Sequence, residues 1–137
     1  MRGVAVCWSL AVLLVAPVFA GETREDAAQA AVESWLKLVD QGPCEGSWEQ
    51  AAMPLKSAMA KDEWTKACEG ARQQLGKVVS RKVKSRRYTE QMPDLPDGKY
   101  VVLEYDSAFE KKPSAVETVT AMVDADETWR VSGYFAH

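Results

Sequence analysis

At Gly76 the apolar pattern of this chain changes period, and that change constrains the fold more than any other feature. Before it, apolar residues recur every three or four positions; after it, they alternate with polar ones. The first pattern buries one stripe of a helix, the second one face of a strand. Helices in one block and strands in another do not form the interleaved βαβ units of a parallel sheet. Helices can then cover one face of the sheet only, and a sheet bent around them is the economical packing. The expectation is an α+β fold with three N-terminal helices on a curved four-stranded antiparallel sheet.

Thr23 followed by Asp26 resembles an acidic capping box and opens the first helix. Ala28, Ala31, Val32, Trp35 and Val39 share one face, Glu33, Lys37 and Asp40 the other, and Gly42-Pro43 ends it. Ser47 with Gln50 reads as a second box, starting a short helix through Trp48 and Ala51 that Pro54 breaks or restarts. A third helix spans 62–75, with a stripe of Trp64, Ala67, Cys68, Ala71 and Leu75 and an αL cap at Gly76. Strands follow at 78–89, 100–109, 115–123 and 128–135. Asp97-Gly98 signals a hairpin between the first two. Alternation puts Val101, Leu103, Tyr105 and Phe109 on one face of the second strand, with Glu104 and Asp106 on the other. In the last strand it puts Trp129, Val131 and Phe135 opposite Arg130, Ser132 and Tyr134.

Ahead of the helices stands Arg2, an apolar run over 4–15 broken only by Ser9, and the small-residue exit Val18-Phe19-Ala20. That is the layout of a secretory signal peptide cut after Ala20, leaving 21–137 as a single α+β domain in the periplasm or outside the cell. A retained membrane anchor is the alternative, opposed by the exit and by the polar Gly21-Glu22-Thr23-Arg24-Glu25-Asp26 that follows. No membrane span is expected after cleavage. Losing Arg2 takes the net charge from −3 to −4. This mild acidity argues against a nucleic-acid partner.

Cys7 falls in the signal, and Cys44 and Cys68 remain. In an oxidising compartment they are expected to pair, contributing about 3 kcal/mol by loop closure. A redox or metal pair has neither CxxC spacing nor a nearby His to support it, since the one His is His137. For the same reason a Ser-His-Asp or Cys-His unit cannot be assembled, and no metal, cofactor or catalytic residue is assigned.

Four runs in the second half carry a resemblance: Val79-Ser80-Arg81-Lys82, Pro96-Asp97-Gly98-Lys99-Tyr100-Val101-Val102, Val116-Glu117-Thr118-Val119 and Trp129-Arg130-Val131-Ser132-Gly133-Tyr134. Together with Trp35-Leu36 and Ser47-Trp48 they resemble the exported bacterial proteins of domain-of-unknown-function family 4019. The resemblance implies a cone-shaped fold, cystatin-like or nuclear-transport-factor-like, and a periplasmic or secreted location. It implies no activity.

Arg81 shares a face with Val79 and Val83, and Glu117 shares one with Val119 and Val123, so alternation aims two opposite charges at an apolar side. One reading is a pocket lined by Tyr105 and Trp35 in which Arg81 grips an anionic group. The other is a structural ion pair. An isomerase- or dehydratase-like enzyme with Glu117 as base and Tyr105 as donor is the rival class, weakened because Arg81 would depress the base.

The basic run Lys77, Arg81, Lys82, Lys84, Arg86 and Arg87 reads as edge protection or as cross-strand pairing with Glu104 and Asp106, the alternative being a surface for phosphate, anionic lipid head groups or an acidic envelope polymer. The tryptophans read as core. The carboxylate pairs Asp124/Asp126 and Asp94/Asp97 sit in turns, where solvent keeps their pKa values ordinary. Two occupants fit this layout: a small amphipathic or anionic ligand in the hollow, or a second copy pairing on the open face through Tyr100 and Val102.

Overall fold

The structure is a computed structural model that describes Gly3 and residues 21–137. The expected signal peptide, apart from Gly3, lies outside the described residues. Helix α1 (Arg24–Gln41) opens on the expected box. Asp26 N donates to Thr23 Oγ1 at 3.1 Å, and Thr23 N donates to Asp26 Oδ2 at 3.2 Å. Two N–H groups that a helix start leaves orphaned are thereby satisfied. The face bearing Ala28, Val32, Trp35, Leu36 and Val39 is buried.

The helices that follow are α2 (Glu45–Glu49), α3 (Met53–Ala58) and α4 (Lys61–Leu75), so the described residues hold four helices rather than three. Pro54 restarts the chain: it lies in the first turn of α3, where the missing N–H has no intrahelical acceptor anyway. The second capping box does not form. Ser47 lies inside α2, its hydroxyl donating to Cys44 O at 2.6 Å and accepting from Trp64 Nε1 at 2.8 Å. The pairing of Cys44 with Cys68 is present and ties the start of α2 to α4.

The chain turns at Gly76 with φ +73°, a value L side chains rarely adopt, but ψ −166° takes it out of the αL region. A Cβ there would stand 3.0 Å from Glu110 Cβ, so close approach as well as φ demands glycine. Then come β1 (Val78–Thr89), β2 (Tyr100–Phe109), β3 (Lys112–Val123) and β4 (Trp129–Ala136), antiparallel in the order β1-β2-β3-β4. Helix α1 packs across all four strands, while α3 packs on β4. Ala52 N donates to Val131 O at 2.7 Å, covering part of the β4 edge. The core is the layer where Ala28, Val32 and Leu36 meet Val101, Leu103, Val119, Ala121 and Val131.

Single-residue bulges alter which side chains face that core. In β1 the register shifts between Val78 and Ser80, which turns Val79 out to 68% exposure instead of beside Arg81. A second shift between Val83 and Ser85 reverses parity, so Arg86 and Tyr88 face inward opposite Leu103 and Val101. Both reach α1: Arg86 Nη1 donates to Asp26 Oδ1 at 2.8 Å, and the Arg24 guanidinium lies 3.7 Å over the Tyr88 ring. In β4 the extra residue is Ser132, between Val131 and Gly133. It exchanges the expected sides, taking Tyr134 inward to Trp35 and leaving Phe135 61% exposed.

The connection between β1 and β2 is a loop over 90–99 rather than a tight Asp97-Gly98 turn. Its positive φ, 62°, belongs to Asp94. Gly98 lies against the Tyr100 ring and does not have a positive φ. Tyr100, expected on the open face, is fully buried by this loop and donates its hydroxyl to Pro96 O at 2.5 Å. The surface expected to pair two copies has therefore lost its aromatic residue to the protein's own chain.

Candidate functional site

Glu117 has no solvent exposure, and four hydrogen bonds from three residues converge on its carboxylate. Arg81 Nε donates to Oε1 at 2.7 Å and Nη2 to Oε2 at 3.0 Å. Ser107 Oγ donates to Oε1 at 2.5 Å, and Tyr134 OH to Oε2 at 2.5 Å. Strand geometry makes this convergence: Arg81 and Ser107 are partners across β1 and β2, and Tyr134 enters from β4 through the Ser132 bulge. Burial alone would push the Glu117 carboxyl up, but the bonds from Arg81, Ser107 and Tyr134 outweigh it and hold it below the usual range.

Arg81 faces a second carboxylate. Its Nη1 and Nη2 donate to the two oxygens of Asp40 at 2.8 and 3.1 Å. Four of the five guanidinium N–H groups are thus committed to Asp40 and Glu117. Burial disfavours the charged guanidinium, yet the two carboxylates raise its pKa further above the ordinary value. Burial, then the Glu117 charge, pushes the Tyr134 hydroxyl up. The arrangement is a cation shared by two anions at the joint between α1 and the sheet.

None of the four expected pocket residues lines the groove described below. Arg81 and Glu117 meet. Tyr105 lies opposite Glu117 in the β2–β3 register, yet its buried hydroxyl has no hydrogen-bond partner, and burial followed by the Glu33 charge raises its pKa. Trp35 is buried, with Nε1 donating to Ser47 O at 2.7 Å and its ring 5.8 Å from Trp64 and 5.7 Å from Tyr134. Of the other tryptophans, Trp48 donates to Met59 O at 2.8 Å, and Trp8 lies outside the described residues.

Asp40, Ser107 and Tyr134 were missed from the sequence. Asp40 follows Leu36 by four positions, which places it beside the buried stripe rather than on the polar face. Ser107 continues the inward alternation Val101, Leu103, Tyr105 and carries that signal plainly. Tyr134 had none, because a bulge moves it.

The cavity itself lies beside this cluster. A groove of about 910 Å³ runs between α4 and the end of the sheet where β1 begins and β2 turns into β3. Trp64, Ala71 and Leu75 line it from α4, Val78 and Phe109 from the strands, and Asp40 and Tyr134 connect it to the ion cluster. Only Cys68 of the α4 stripe is buried; Trp64, Ala71 and Leu75 are half-buried and Ala67 is exposed. Arg72, Lys77, Lys111 and Lys112 also line the groove. A separate hollow of about 750 Å³ by the 90–99 loop is lined largely by polar groups, including Glu90, Gln91, Asp97 and Lys99.

Of the carboxylates in turns, Asp126 departs from expectation: it is held down at about 2 by its hydrogen bonds with Arg130, which also lies 3.7 Å from Asp124. Of the basic run, Arg81 and Arg86 are paired with α1, whereas Lys82 and Lys84 are exposed. Among the described residues no group of three or more His, Cys, Asp or Glu is set to hold a metal ion. Among them no helix is long and apolar enough to cross a membrane.

No curated protein matches the chain. Residues 31–134 match a family described only as proteins of unknown function, and they include the disulfide and the cluster of Asp40, Arg81, Ser107 and Tyr134 around Glu117, so the chain belongs to that family, DUF4019.

Proposed function

We propose that this chain is an exported, single-domain, non-catalytic binding protein that takes a small ligand in the groove beneath α4. The observation that carries this reading is the α4 stripe. Ala71 and Leu75 have the helical spacing of core residues but border a groove of about 910 Å³ instead of a packed layer, and Trp64, packed on Trp35 at one side, lines the same groove. That volume is within the range of small-molecule sites, and the lining sets apolar side chains of α4 and the strands beside charged ones. Export is supported by the signal-like pattern of residues 1–20 and by the Cys44–Cys68 bond, which belongs to oxidising compartments. The cone-like shape is supported by helices on one sheet face and by bulges that bend strands.

In this reading Arg81 and Glu117 stand behind the groove wall, holding Asp40 and Tyr134 in place, and do not meet the ligand themselves. Their charges are compensated within the protein, and Arg81 has one N–H left to offer. An enzyme using Glu117 as base is disfavoured on the same geometry. Its carboxylate is saturated with donors and held in the weakly basic, ionised form, and Tyr105 does not bond to it.

Native mass spectrometry of the protein purified from its own host tests the reading. The expected result is a retained small mass that is lost in Ala71→Trp, a substitution that fills the groove. A bare monomer in both would overturn it, and so would turnover lost in Glu117→Gln in a folded protein.

A further inference from the structure

The groove's lining is divided by chemistry as well as by shape. From Trp64 to Leu75 the α4 wall is about 16 Å long and its groove side is largely apolar. At its far end, where α4 passes into β1 and β2 turns into β3, stand Lys77, Lys111 and Lys112, with Arg72 one turn back along the helix. Among the described residues, none of these four cations has a carboxylate within 4.0 Å. Arg72 and Lys111 donate to carbonyls, Asp40 O at 2.9 Å and Gln73 O at 2.8 Å. Those bonds hold the two cations in place without neutralising them. The acids in the lining are fewer: Asp40, already paired with Arg81, and Glu110. In a chain of net charge −3, this end of the groove is a local excess of positive charge joined to an apolar trough.

Building on the binding reading above, we propose that the ligand is a single-chain anionic amphiphile. Its tail lies along Trp64, Ala71 and Leu75, and its carboxylate or phosphate head sits among Lys77, Lys111 and Lys112. The charge pattern selects the sign of the head, and the one-helix length of the trough sets the length of tail it can take. A neutral apolar molecule would leave the cations uncompensated. A cationic amphiphile would face repulsion there.

Trp64 supplies the readout, because its ring is part of the trough wall. Purified protein is titrated with dodecanoate below its micelle concentration, and in parallel with dodecyl phosphate, dodecyltrimethylammonium and dodecanol, following tryptophan emission. The expected result is saturable binding of both anions, at least tenfold tighter than the cation or the alcohol. In the K77E/K112E double variant, checked for an unchanged thermal transition, the anions should weaken at least tenfold while dodecanol is unmoved. Preference for one anion over the other would name the head group.

Equal binding of all four probes would overturn the anionic assignment while leaving a groove that binds apolar tails. No binding of any probe would remove both that assignment and the binding reading. A polypeptide co-purifying in the groove and displaced by none of the probes would also overturn the proposal.

Discussion

Helices α1 and α4 carry apolar stripes of the same period, and they end in opposite environments. The α1 stripe is sealed against four strands, with Ala28 and Val32 fully buried. The α4 stripe buries only Cys68 and leaves the rest along a groove. Their attachments differ in kind. Polar clasps fix α1 to β1 at both ends: Arg24 over Tyr88 and Asp26 with Arg86 at its start, Asp40 with Arg81 at its finish. Helix α4 is held through α2, by the disulfide and by Trp64 on Ser47. Periodicity identifies a face; what covers that face is decided by the partners the rest of the chain supplies.

The sharpest way to break the comparison is to remove the cluster that anchors α1. Glu117→Ala leaves Arg81, Ser107 and Tyr134 without their shared acceptor and is expected to cost about 3–5 kcal/mol in urea unfolding. A loss below about 1 kcal/mol would mean the cluster does not hold α1 down. The same group sets an acid dependence. Its folded pKa is lowered, so its contribution is fully present above the unfolded value, about 4.3, and is lost as pH falls through the folded one. Between those values the unfolded state binds more protons and stability rises with pH. Glu117→Gln should flatten that slope, and an unaltered slope would assign it to other carboxylates.

A matched pair of truncations sharpens the contrast directly. Leu36→Ala on α1 should cost about 2–5 kcal/mol, as buried leucines do. Leu75→Ala on α4 should cost roughly 1 kcal/mol or less. Equal losses would show that the groove side of α4 is packed in solution. Removing the bridge by a Cys44→Ala/Cys68→Ala double substitution is expected to cost about 3 kcal/mol in urea unfolding. Hydrogen exchange should then rise first in α4 and leave α1 protected. Smallest is Tyr105→Phe. Its hydroxyl is buried without a partner, so deleting it should be neutral or slightly stabilising, and a loss above about 1 kcal/mol would reveal an acceptor.

The sequence was informative where structure repeats locally. The Thr23 box, the α1 stripe, the four antiparallel strands and the inward aim of Arg81 and Glu117 follow from periods of three to four and of two. What stayed hidden depends on one-residue irregularities and on tertiary company. Tyr134 and Phe135 exchange places because of Ser132, and Val79 turns outward at a bulge. Tyr100 is enclosed by a loop whose path no short turn signal describes. Ser47 capped nothing because the disulfide pins Cys44 and the hydroxyl serves Trp64. The groove could not be read at all, since a stripe destined for a cavity and one destined for a core have the same spacing.

The Ser132 irregularity has a further consequence for anyone altering this molecule. Facing in the strand is counted from that residue: were the strand paired without the bulge, Ser132 would take a register position of its own and every side chain from there to the strand's end would be transposed. The phenol that completes the carboxylate cage would then swing out into water, and a phenyl ring would arrive where a proton donor is required. Excising Ser132 would instead remove the extra residue and leave Tyr134 opposite Val119, so the cage depends on parity along the strand rather than on the serine itself.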